Sequence, residues 1–241
     1  MRFIDKSERC QEFDDYVNEN SKFLSTKGKW DLPTNIKTTL HSHLWKQQKG
    51  LCIYCEQEIH KKIGAEYLPK SLIEHIRPRT KEKYPELTYI FCNLSIACKK
   101  NTTDKKENID FCEHKKGDEY DESKFLSPTE LPGVESYFEY DTEGNIFPRG
   151  DDECAKYMIR ALKLDHNILN DMRKNQFLEF SGKVLNEIGI EAIESMLQDE
   201  QSEQLPAFYS IAKVFISSLV LIVKPVRAIA RIGILKPPAR F

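Results

Sequence analysis

The sequence predicts an α+β protein: a cysteine-stapled module with short strands, followed by a mainly helical C-terminal region. Three observations predict it. Cys52, Cys55, Cys98 and Cys112 bracket a Glu74-His75 dipeptide in a stretch with little helical periodicity. Tyr137 to Tyr140, then Asp141-Thr142-Glu143-Gly144-Asn145, then Ile146-Phe147 reads as aromatic strand, polar glycine turn and apolar return, the pattern of a β-hairpin. From Cys154 onward the apolar residues recur at helical spacing.

Taken in order, residues 1–50 form an N-terminal helical segment. Phe13, Tyr16, Val17, Phe23 and Leu24 suit one face of a short helix. Trp30 to Thr34 reads as a turn, after which Thr34 or Asn35 can cap a helix carrying Ile36, Leu40, Leu44 and Trp45. Gly50 ends that helix. His41 and His43, two residues apart, do not share a face and read as surface residues.

Residues 51–125 form the core of the module. Leu72 to Ile76 is a β-favouring run stopped by Pro78, Tyr84 to Phe91 is loop broken by Pro85, and Asn93 to Cys98 can open a helix. Lys115 onward is polar loop. Residues 126–153 are the hairpin connector, and 154–241 the helical region. There Ala155, Met158, Ile159, Leu162 and Leu164 fit one helix, a second runs roughly from Ile168 to Leu197, and a third starts after Pro206.

The formal net charge of -2 over 241 residues excludes a wholesale nucleic-acid coat. The charge is uneven, however. Lysines and arginines crowd the stretch from Lys61 to Lys116, and acids dominate from Asp118 to Glu153. Arg77, Arg79, Lys99, Lys100, Lys115 and Lys116 coincide with the Cys/His constellation, which makes them candidates for binding phosphates rather than a merely solvated face. No apolar leader region follows Met1, and the run from Val214 to Val223 is too short to cross a bilayer. Seven cysteines, an odd number, argue for reduced thiols and a cytoplasmic protein without membrane contact.

A CxxC pair puts two thiolates on one knuckle, and Cys98 and Cys112 can complete a zinc tetrahedron. A redox pair is the rival, but Cys52 follows a helix-ending glycine and no βαβ pattern surrounds it. Cys10, Cys92 and Cys154 read as small buried residues, with Cys92 the rival ligand. Glu74 offers a hard carboxylate for Mg²⁺ or Mn²⁺, and a neutral His75 is a suitable base for phosphodiester hydrolysis. His114 can complete the coordination. Adjacent residues of a strand point to opposite faces, so Glu74 and His75 converge only at a strand end or bulge.

The order CxxC, Glu74-His75-Ile76-Arg77-Pro78, Asn93-Leu94, Cys98 and Cys112-Glu113-His114-Lys115-Lys116-Gly117 resembles the HNH endonucleases, whose active site is a ββα-metal fold. More narrowly, Met1-Arg2-Phe3-Ile4, Gly50 to Glu56, Ile73 to Arg79, Leu87-Thr88-Tyr89, Cys112 to Gly117 and Glu135 to Tyr140 look like the PtuB-type effectors of Septu and retron anti-phage systems. The resemblance covers most of residues 1 to 170. It implies a zinc-stapled HNH nuclease module with His75 as general base, Glu74 as metal ligand and Asn93 orienting the histidine loop. His114, or Glu113 directly after the last cysteine, falls at the last ligand. Structural Zn²⁺ on the four cysteines and catalytic Mg²⁺ or Mn²⁺ are the implied cofactors. DNA is the expected substrate, with RNA the alternative, and an ABC-type ATPase is the implied partner, docking on the helical region. A non-catalytic zinc-stapled binding module and a thiol redox protein are the rival readings.

Overall fold

The computed structural model describes residues 1–21, 29–59, 71–80, 82–98, 110–185 and 204–214. Helix α1 (Gln11–Glu19) carries Glu12 and Asp14 in its first turn, where they complement the helix dipole, and buries Phe13. Phe23 and Leu24, expected on the same face, lie outside the described residues. Helix α2 (Thr34–Gln47) packs against it through Leu40, Leu44 and Trp45. The expected side-chain cap does not form. Pro33 holds the N-cap position with φ -56° and ψ 146°, because its ring pre-sets that backbone and lacks an N–H to satisfy.

Gly50, at φ +73°, ends the helix by donating its N–H to Trp45 O at 3.0 Å. His41 and His43 are half-buried rather than exposed. His41 Nε2 lies 2.9 Å from Ser71 Oγ, and His43 Nε2 lies 3.1 Å from Glu8 O.

Strand β1 (Ser71–His75) pairs antiparallel with β2 (Leu94–Cys98), in a register that sets Glu74 opposite Ser95 and His75 opposite Leu94. A helix was expected at Asn93 to Cys98. The run is buried at every residue of the strand, so it shows neither helical nor alternating period, and its backbone is satisfied from two sides. On the edge away from β1, the side-chain amide of fully buried Gln48 donates to Ile96 O at 2.8 Å. Its oxygen accepts Ile96 N at 2.7 Å, and Ile53 N also reaches Ile96 O, at 3.1 Å.

Between the strands the expected loop contains two short 3₁₀ turns, Pro85–Leu87 and Phe91–Asn93. Pro85 begins the first turn, where no N–H is needed. After β2 comes one helical turn, α3 (Glu113–Lys116), in place of the polar loop expected from Lys115.

Strands β3 (Phe138–Tyr140) and β4 (Ile146–Pro148) form the predicted hairpin. Gly144 in its turn has φ +80°, and a Cβ there would collide with the Asn170 carbonyl oxygen. Helix α4 (Glu153–Leu162) is capped by Asp152, whose carboxylate accepts Ala155 N at 2.8 Å. Helix α5 (Asn167–Leu185) follows; the sequence reading beyond it, to Leu197, lies outside the described residues. Residues 205–214 return to the knuckle: Phe208 N donates to Glu56 O at 2.8 Å, and Ser210 Oγ donates to buried Glu56 at 2.7 Å. The rest of the run to Val223 lies outside the described residues.

Buried apolar residues of α1, α2, β2, the hairpin, α4, α5 and residues 205–214 join one core, from Met1 through Ile96 and Met158 to Ile211. Among the described residues no helix is long and apolar enough to cross a membrane.

Candidate metal and catalytic site

Three chain segments bring the four cysteines together. Cys52 and Cys55 sit on a tight knuckle closed by Glu56 N to Cys52 O at 3.1 Å, with Glu56 itself at φ 61°. Cys98 ends β2, where its N–H points at Cys52 Sγ, 3.3 Å away. Cys112 precedes α3 at φ 55° and donates its N–H to Leu162 O at 2.8 Å, which ties it to the end of α4.

All four sulfurs lie within 4.8 Å of one another, and Cys55 and Cys98 are 3.8 Å apart. A tetrahedral Zn²⁺ with bonds of about 2.3 Å spaces its sulfurs about 3.8 Å apart, so the donor set fits zinc. Burial pushes the Cys112 thiol well above its ordinary range, and the three neighbouring sulfurs add to that. Cys92, the rival ligand, is exposed and outside the cluster, and Cys154 is half-buried; of the remaining cysteines only Cys10 is buried as expected.

Glu74 and His75 are both buried at the end of β1, with 5% and 8% of their surface exposed. Their side chains find different partners, as neighbours on a strand must. The Glu74 carboxylate accepts Tyr54 OH at 2.8 Å and pairs with Lys116 Nζ at 2.9 Å, both through Oε1. Burial raises its pKa, against the pull of Lys116 and Tyr54, and the charge of Glu113 adds to the rise.

His75 Nε2 meets Thr88 O at 3.0 Å. A carbonyl only accepts, so Nε2 carries the proton and Nδ1 holds the lone pair. Trp30 packs edge-on against the imidazole with ring centroids 4.8 Å apart, and Tyr89 stacks on Trp30 at 5.4 Å. Burial lowers the His75 pKa to about 4, with the charges of Arg79 and Lys116 acting in the same direction and the Thr88 carbonyl opposing.

Asn93 clamps the turn after His75. Its Oδ1 accepts Arg77 N at 2.7 Å, and its Nδ2 donates to Arg77 O at 3.0 Å and Leu87 O at 3.2 Å. On α3, His114 is exposed, with Nδ1 3.7 Å from Glu113 Oε2. That Glu113 oxygen is buried and makes no hydrogen bond within the described residues, which suits a cation ligand.

The basic candidates separate. Arg77 forks onto Glu130, with Nη2 to Oε2 at 3.0 Å, and lies 3.6 Å from Glu122, so acids already face its charge. Arg79 is half-buried, Lys115 is exposed, and Lys99 and Lys100 lie outside the described residues. Lys116 is 3% exposed and turned inward. Tyr54, Trp30 and Thr88 were not singled out from sequence. Tyr54 carried a signal in its place inside the CxxC, and Thr88 in the Leu87-Thr88-Tyr89 run, but neither says where the side chain or carbonyl goes.

No family model matches the chain. A protein of Vibrio cholerae serotype O1 biovar El Tor named "Retron Vc95 putative HNH endonuclease" is 30% identical over 116 residues, covering 48% of this chain and 49% of that protein. The chain thus matches about half the length of this curated relative. With a four-cysteine cluster that fits zinc and a buried Glu-His pair beside it, that likeness supports the HNH endonuclease family for this chain.

Proposed function

We propose that the chain is a metal-dependent HNH endonuclease that hydrolyses nucleic-acid phosphodiester bonds as the effector of an anti-phage defence system. The observation that carries it is the buried Glu74-His75 pair, with His75 Nε2 anchored on Thr88 O. The anchored ring presents Nδ1 as a base for water attacking phosphorus in line, leaving a 5′-phosphate and a 3′-hydroxyl. An approaching phosphate anion favours the imidazolium and raises the low pKa of the free site toward neutrality. Asn93 holds the turn behind the histidine. Glu74, with Glu113 or His114 from α3, would hold a Mg²⁺ or Mn²⁺ ion, which supplies positive charge for the phosphorane and the leaving oxygen. Zinc on the four cysteines keeps β2, the knuckle and α3 in register.

Resemblance to PtuB-type effectors and the retron name of the Vibrio relative support the defence role. An ABC-type ATPase docking on the region after Cys154 is part of the same reading. Co-purification of the two chains tests that partner.

Supercoiled plasmid with Mg²⁺ or Mn²⁺ tests the chemistry, with single-stranded DNA and tRNA as parallel substrates. His75→Ala is expected to cut at least ~10²-fold more slowly while keeping its zinc. Undiminished nicking by that variant overturns the mechanism. Wild-type chain that shifts DNA in a gel without cutting any substrate favours a binding module instead.

A further inference from the structure

Glu74 is held by two donors, and each is attached to a zinc ligand. Tyr54 lies between Cys52 and Cys55 on the knuckle, is 1% exposed, and puts its hydroxyl 2.8 Å from Glu74 Oε1. Lys116 lies one helical turn after Cys112, its N–H bonded to Cys112 O at 2.9 Å, and its ammonium reaches the same carboxylate oxygen at 2.9 Å. The strand carrying Glu74 is itself paired to the strand ending in Cys98, with Ser71 opposite Cys98. The four sulfurs therefore fix every segment that touches Glu74.

Lys116 neutralises the carboxylate. Tyr54 instead fixes its direction, because a neutral hydroxyl at hydrogen-bond distance constrains one oxygen without adding charge. A donor held by a rigid knuckle spares the carboxylate the loss of rotamer freedom that cation binding otherwise demands.

We propose that Tyr54 is a positioning residue that aims Glu74 from within the zinc knuckle, so that the structural metal site sets the geometry of the divalent-cation site. This rests on the nuclease reading above for the role of Glu74. The hydroxyl touches neither the reacting phosphate nor the attacking water; it acts through the carboxylate.

The test uses the full zinc-saturated chain with Mn²⁺ as probe, its binding followed by the loss of the free-ion paramagnetic resonance signal. Bound zinc and plasmid nicking are measured alongside. Tyr54→Phe is expected to keep its zinc, to bind Mn²⁺ about tenfold more weakly, and to recover much of its nicking rate at saturating Mn²⁺. Wild-type Mn²⁺ affinity in Tyr54→Phe overturns the proposal. Loss of zinc or of the fold also overturns it, because Tyr54 then serves the knuckle rather than Glu74. Mn²⁺ binding that Glu74→Gln leaves unchanged overturns it as well. A chain whose Mn²⁺ binding needs Glu74 and weakens in Tyr54→Phe, but which cuts no nucleic acid, supports the positioning role while overturning the nuclease reading.

Discussion

Lys116 Nζ stands 2.9 Å from Glu74 Oε1, with both side chains almost wholly removed from water, and it also reaches the His75 carbonyl at 3.2 Å. A lysine that the sequence offers as a phosphate contact is instead the counter-ion of the candidate metal ligand. It joins α3 to the end of β1.

That burial makes the pair asymmetric to mutation. Lys116→Met leaves a buried carboxylate without its partner and is expected to destabilise the zinc-loaded chain by about 3–5 kcal/mol. Pairing Lys116→Met with Glu74→Gln removes both charges and is expected to restore a large part of that loss. Guanidinium unfolding of the two single variants and the double variant measures the coupling.

His75 predicts a pH effect on stability. Its ordinary pKa of 6.5 falls to about 4 in the fold, chiefly because burial disfavours the imidazolium. Above pH 6.5 both folded and unfolded chains hold a neutral ring, and the group adds no penalty. As pH falls from 6.5 towards 4 the unfolded chain takes up a proton that the folded chain refuses, so stability drops with pH and levels off below. The full difference is about 3 kcal/mol. His75→Gln is expected to lose less stability than wild type between pH 7 and pH 4.5. Zinc release from protonated thiolates is common to both chains and cancels in the comparison.

Thiol accessibility separates the cysteines without any activity assay. Cys92 is exposed, whereas Cys52, Cys55, Cys98 and Cys112 are buried around the candidate zinc position. A zinc-loaded chain is expected to show a fast thiol towards an aromatic disulfide reagent, a phase that Cys92→Ser removes, and a slower one from half-buried Cys154. A strong chelator is expected to release the four ligands and unfold the module, since zinc contributes about 10–16 kcal/mol in small zinc peptides. Four fast thiols before chelation would contradict the site.

Gln48 supplies both a donor and an acceptor to the outer edge of β2 from a position with no exposure. Gln48→Leu leaves the Ile96 N–H buried without that acceptor and is expected to cost about 2–3 kcal/mol. Thermal unfolding of the zinc-loaded variant checks it, with zinc content expected to stay unchanged.

What the sequence carried best was local. The CxxC spacing, the Gly144 turn of the hairpin and the spacing of Ala155, Met158 and Ile159 each reflect a few neighbouring residues. Those features stand in the fold where expected. The misses have a common cause. Asn93 to Cys98 can open a helix on its sequence alone because a strand buried throughout leaves no alternating pattern, and the partners of β2, Gln48 and β1, are distant in the chain. Cys92 lies near Cys98 in sequence, but the 3₁₀ turn Phe91–Asn93 and the start of β2 separate their side chains.

By itself, then, the sequence picked out the candidates: four thiols able to hold zinc, a Glu-His pair, an asparagine and a lysine-rich turn. Tertiary structure alone decided their roles toward one another. It turned Lys116 and Tyr54 inward onto Glu74, and anchored His75 on Thr88 under Trp30. The physical reason is burial. Hydrogen bonds and ion pairs removed from water are fixed by whichever distant segments the core brings together, and no spacing along the chain encodes that meeting.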